Sequence, residues 1–172
     1  MLDLVAKGEV MPSAAQVAEV AGVGLRSVFR HFKDMDALYR EMSEAIEGQV
    51  LPILMRPPEG ASWQQRLFDI AARRARIFET IMPFRISANV RRFESAYLME
   101  GYRRMLRLEA EALAAHLPPE VAADEEGARG LNVILSFSTW RLLRHDQGLA
   151  PEAAAAVVRR MLEDALARWP EV

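Results

Sequence analysis

The residues best equipped for chemistry in this chain sit together in "GLRSVFRHFK", Gly24 to Lys33. Arg26, Arg30 and Lys33 carry positive charge there, Ser27 and His31 can hydrogen-bond, and no acid intervenes. A guanidinium is a planar fork that matches guanine O6 and N7, whereas Ser, His and Lys suit phosphate oxygens. The chemistry on offer is recognition of an anionic partner. Elsewhere the reactive residue types are scattered. His31, His116 and His145 are far apart, and none has a second His or a carboxylate at ligand spacing within its own helix. The acids Asp124 to Glu126 read as charge compensation at a helix N-terminus. There is no G-x-S-x-G elbow, no P-loop and no G-x-G-x-x-G after a strand. No enzyme activity, cofactor or metal is expected, and an all-α enzyme assembled from distant residues is the one catalytic alternative.

These residues need elements to hold them, and composition narrows the choice. The 172 residues allow one domain, or a small module fused to a larger one. The net charge of −2 neither requires nor forbids an anionic partner, because a local patch suffices. Before Gly48 there are five Lys or Arg against eight acids, so the basic character belongs to residues 24–33 and not to the segment around them. Cysteine is absent, which removes disulfides and thiolate metal sites. No apolar run reaches the roughly 18 residues of a membrane span, and the N-terminus lacks the pattern of a secretory signal. The expectation is a cytoplasmic protein with no membrane partner.

Period-2 alternation is missing, and apolar residues recur at three- and four-residue spacing, so the fold class is all-α. The break "RPPEGAS", Arg56 to Ser62, separates short N-terminal helices from long ones, and the domains are placed at 1–47 and 48–172. Ser13 should cap a helix from about Ala14 to Val20, and Gly22 should end it in the left-handed conformation. In the next helix Leu25, Val28, Phe29 and Phe32 fall at i, i+3, i+4 and i+7, one apolar face to which Val17, Ala18 and Ala21 can pack. This is the pattern of a helix-turn-helix, whose second helix enters a major groove about 12 Å wide. The same spacing also fits a buried helix pair with a solvated arginine edge.

The stretch "SAAQVAEVAGVGLRSVFRHFKDMDALYREM" resembles the helix-turn-helix and following helix of TetR-family transcriptional regulators. The resemblance rests on the "VA..AGV" turn, the aromatic-x-His-Phe ending at Phe29 to Phe32, and Asp-Ala-Leu opening the next helix. It implies that Leu25, Arg26 and Ser27 face DNA and that Phe29 and His31 touch the backbone. Arg26 and Arg30 then become the base readers, with Ser27, His31 and Lys33 on phosphates. The chain departs from the family pattern at Phe29, which replaces Tyr, at Gly24, which replaces a capping Ser or Thr, and at Met35, which replaces Lys. Only about one and a half turns precede Gly8, so the first helix is expected to be truncated.

Beyond residue 48 the resemblance is architectural. Trp63 to Met82 and Glu94 to Leu117 read as long helices, with Pro83 expected to end or kink the first. Ten Arg and four acids lie between Arg66 and Arg107, which describes solvated faces, or one or two arginines (Arg74 or Arg92) turned inward toward an anion. The run "GLNVILSFSTWRLL" is apolar around nearly its whole circumference and should need cover on more than one side. That cover is expected from a second subunit, in a four-helix interface using Leu131, Leu135 and Leu142 with Val157, Val158, Met161, Leu162 and Ala165. The resemblance further implies a small-molecule effector site, with Arg74, Phe78, Met82, Phe93, Tyr97, Met105, Phe137 and Trp140 as candidate lining. The function implied is a ligand-responsive homodimeric regulator on a double-stranded operator, a repressor on family grounds. The alternative is a helical ligand-binding or interaction protein of this architecture that does not bind DNA.

Overall fold

The computed structural model describes residues 1–169 and contains helices but no strand among them. No helix among these residues is long and apolar enough to cross a membrane. In chain order the helices are α1 (Leu2–Ala6), α2 (Ala14–Val20), α3 (Leu25–His31), α4 (Met35–Leu54) and α5 (Trp63–Arg91). They continue with α6 (Ala96–Ala114), α7 (Pro119–Ala123), α8 (Glu125–Ile134), α9 (Phe137–Arg141), a π-helical turn over Leu142–Asp146, and α10 (Pro151–Leu166).

The chain divides into two compact units that alternate along the sequence. One comprises Met1–Pro52 with Thr80–Arg104, the other Ile53–Glu79 with Met105–Val172. The first crossing, at Pro52/Ile53, lies a few residues past the expected boundary at 47/48, and the chain then returns to the first unit within α5 and leaves it again within α6. "RPPEGAS" lies in the second unit.

In the first unit, Val17 and Ala18 of α2, Val28 of α3 and Leu38 of α4 form one buried cluster. Val5 of α1 is 1% exposed and packs with Tyr39, Met42 and Leu98 in a second. Short as it is, α1 is anchored by that side chain, since burial and not length stabilises so few turns. Asp34 starts α4 by accepting from the Ala37 N–H at 2.9 Å, a charge-compensating N-cap. The buried Tyr39 hydroxyl meets Ser87 Oγ at 2.9 Å, which satisfies both polar groups inside the core.

The second unit buries Leu67 and Phe78 of α5, Leu113 of α6, Leu131 of α8, Trp140 of α9 and Leu162 of α10. Its loop around Pro57 is held by Arg73, only 6% exposed, which donates to the carbonyls of Arg56 and Pro57 and pairs with Asp69 at 2.5 Å. A Cβ on Gly127 would lie 2.5 Å from the Trp169 ring, so only glycine permits this approach of α8 to the indole.

Three sequence expectations change. Of the two outcomes expected at Pro83, ending or kinking the helix, the first does not occur, as α5 runs through it to Arg91. The loss of one N–H is local, and neighbouring turns on both sides keep their own bonds. The apolar run Gly130 to Leu143 is not one helix. Ser136 breaks it by accepting from the Thr139 N–H at 3.2 Å, and Thr139 Oγ1 donates to the Val133 carbonyl. Finally, cover for that run comes largely from within the unit: Leu131, Leu135, Val158 and Leu162 are all buried in the chain's own core and cannot face a second subunit. Of the expected interface, Leu142 and Met161 are exposed, and Val157 and Ala165 are half-buried.

Candidate nucleic-acid interface

The interface is built from α2, α3 and the turn joining them. Ser13 caps α2 reciprocally, its hydroxyl accepting from the Gln16 N–H while the Gln16 carboxamide accepts from the Ser13 N–H at 2.8 Å. Two orphan donors of the first turn are thereby satisfied. At the other end Gly22 adopts φ 65°, with Gly22 N–H on the Glu19 carbonyl and Val23 N–H on the Ala18 carbonyl. This left-handed glycine cap reverses the chain within two residues and aims α3 away from α2. Gly24 begins α3 without a side-chain cap, as its residue type requires.

Only Val28 of α3 is fully buried, with Phe32 half-buried beside it. The expected four-residue apolar face is therefore narrower than its spacing suggested. At about 100° per residue, Leu25 lies about 60° and Phe29 about 100° from Val28 around the helix, beyond the strip that α2 and α4 cover. Leu25 is 45% and Phe29 50% exposed, and Ala21 is exposed at the turn. Phe29 consequently stands beside Arg26 and Arg30 on the outer surface. Arg26, Arg30, His31 and Lys33 are exposed and Ser27 is half-buried. Six of the seven residues expected at DNA are thus open to solvent, on a helix whose opposite side is locked into the core.

The candidate effector residues do not form one group. Arg74, Phe78, Phe137 and Trp140 belong to the second unit, where the Phe78 and Phe137 rings meet edge to face at 5.5 Å. Met105 is in the same unit but exposed. Met82, Phe93 and Tyr97 belong to the first unit, where Phe93 is 74% exposed. Arg92 lies over the Phe93 and Tyr102 rings at 4.5 and 4.2 Å and donates to the Asn89 carbonyl, so it points along the surface. Arg74 is buried, and its guanidinium donates to the carbonyls of Leu135 and Glu109 at 3.1 and 2.9 Å. It supplies donors for the carbonyl left over where Ser136 interrupts the helix.

Two features escaped the sequence. Glu79 accepts from Trp140 Nε1 at 2.8 Å and takes a two-pronged contact from Arg144 at 2.8 and 3.0 Å. The Arg144 bonds hold its carboxyl below the ordinary value against the opposing effect of burial, and the same pair raises Arg144. The second feature is an open slot of about 150 Å³ between α5 and α10, floored by Ala71, Ala72 and Ala75. The three alanines share one helical stripe with Phe68, a signal present in the sequence but indistinguishable there from close helix packing. No protein-family model, curated protein or solved structure matches the chain.

Proposed function

We propose that this chain is a DNA-binding transcriptional regulator of the TetR type, acting as a homodimer whose operator affinity responds to a small molecule. The reading is carried by α3. Its Val28 side is anchored in the core, while Arg26, Phe29 and Arg30 share the exposed side with three cationic or hydrogen-bonding neighbours and no acid. A helix held from behind loses little further backbone entropy on entering a groove, and its arginines lie on the side that would enter it. Leu25 and Phe29 suit thymine methyls and sugar edges, where exposed apolar side chains gain contact. An effector acts by binding one separation of two reading heads better than another.

A second reading draws on the exposed Val20, Val23, Leu25 and Phe29, which also suit a protein partner. Electrophoretic mobility shift with the DNA flanking the gene separates the two. A regulator gives a sequence-selective shift that weakens steeply as salt rises, because bound phosphates release their counterions. Absence of any shift at low salt, with the protein folded and dimeric, rejects the regulator and leaves the apolar patch as a protein interface.

A further inference from the structure

The slot between α5 and α10 is out of keeping with the rest of its unit. Ala71, Ala72 and Ala75 line it on α5 and Ala155 on α10, and with Ala72, Ala155 and Arg159 exposed it is an open groove of about 150 Å³ on the surface of the unit. Small side chains on facing helices normally draw the backbones together; here they leave room. Two aromatic side chains, Phe68 and Trp140, line the same space. Along α5, Phe68 to Ala75 spans about 10 Å at 1.5 Å per residue, the length of one ring with a substituent. A groove of this volume matches one benzene-sized ring, held against its apolar wall with the other side toward solvent.

The polarity of the slot is one-sided. Trp140 directs its Nε1–H to Glu79, so its indole presents an apolar surface to the space it lines. Arg159 is the one charged residue of the lining. Its guanidinium lies 4.7 Å from the Phe68 ring centroid, and its Nε is held by Glu163 at 2.9 Å. The two Nη groups provide the planar pair of N–H donors that matches a carboxylate. A ring beside Phe68 would place its carboxylate next to this exposed guanidinium, which lies against Phe68 and pairs with Glu163.

We propose that this slot binds a single-ring aromatic carboxylate, the ring against Phe68 and Trp140 and the carboxylate on Arg159. Under the regulator reading such an acid is the effector class, and only that consequence rests on the reading; the binding itself needs no DNA. The test is calorimetric titration of the full chain with benzoate and with benzyl alcohol. Saturable binding of benzoate is expected, weakened about tenfold or more by Arg159→Gln, while benzyl alcohol responds little to that change. Arg160→Gln, which alters a neighbouring arginine paired with Asp164, should leave both unchanged. Ala155→Leu and Ala72→Leu fill the slot from exposed positions and should abolish binding of both compounds with helix content retained.

No saturable binding of benzoate, or equal effects of the Arg159 and Arg160 variants, overturns the proposal. So does a slot-filling variant that changes the oligomeric state but leaves benzoate binding intact, which would assign the slot to a second copy of the chain. Mobility shift with and without benzoate is read separately: absence of a shift in both conditions removes the regulator reading while leaving the calorimetric result standing.

Discussion

At the scale of single residues, Arg30 and Glu79 make the clearest claims. Arg30 is exposed in the last turn of α3, a helix that carries no acid. If it reads a guanine, Arg30→Ala costs about 1 to 3 kcal/mol and relaxes selectivity at one base position. Selection from randomised operators measures this directly, and an unchanged preference assigns the reading to another residue. Glu79 makes a claim about stability. Its carboxyl titrates below the ordinary value in the folded chain because of Arg144, so the stabilisation is present above the unfolded value near 4.5 and fades as pH falls through the lower native one. Glu79→Gln should destabilise by about 1 to 2 kcal/mol at neutral pH, somewhat less than a fully buried charged hydrogen bond because the pair is partly exposed. Urea unfolding of both proteins should show that gap closing in acid, and a pH-independent gap would refute the ionic origin.

Elements are governed here by what happens at their ends and interruptions. The α2 cap and the glycine turn are satisfied by atoms within five residues, which is why the pair forms where the pattern placed it. The α8–α9 interruption needs distant help, from Arg74 on α5. Pro83 shows the opposite situation, a breaker that α5 absorbs. An interior proline removes the bond its N–H would make four residues back and crowds that carbonyl, at a cost of about 3 kcal/mol in a helix interior. Pro83→Ala should therefore raise the thermal midpoint by several degrees, measured by circular dichroism. An unchanged or lowered midpoint would mean that contacts of the half-buried ring offset the strain.

For the whole molecule the question is what covers the remaining apolar surface. Val133, Leu142 and Met161 of the second unit are exposed while their neighbours Leu131, Leu143 and Leu162 are buried. Single exposed apolar residues are ordinary, but several on the terminal helices fit a subunit contact narrower than the one expected. If the chain is a dimer through them, Met161→Glu and Leu142→Glu should each shift it toward monomer in sedimentation. Under the proposed regulator function the same variants should also weaken operator binding, since two half-sites would have to be held together. Dimers that persist in both variants would place the contact elsewhere.

The sequence by itself determined that the chain is helical, where α2 starts and ends, and which ten residues concentrate positive charge. Those properties depend on hydrogen bonds and spacing within about one turn, so they can be read locally. Tertiary structure alone decided that Val28 and not Phe29 anchors α3, because the width of the covered strip is set by α2 and α4. It also turned half of the expected subunit interface into the chain's own core and divided α5 and α6 between two units. Arg74 and Glu79 received their partners, and the alanine stripe became an open slot, in the same way. A side chain's neighbours across helices lie tens of residues away, and periodicity identifies a face without identifying what covers it.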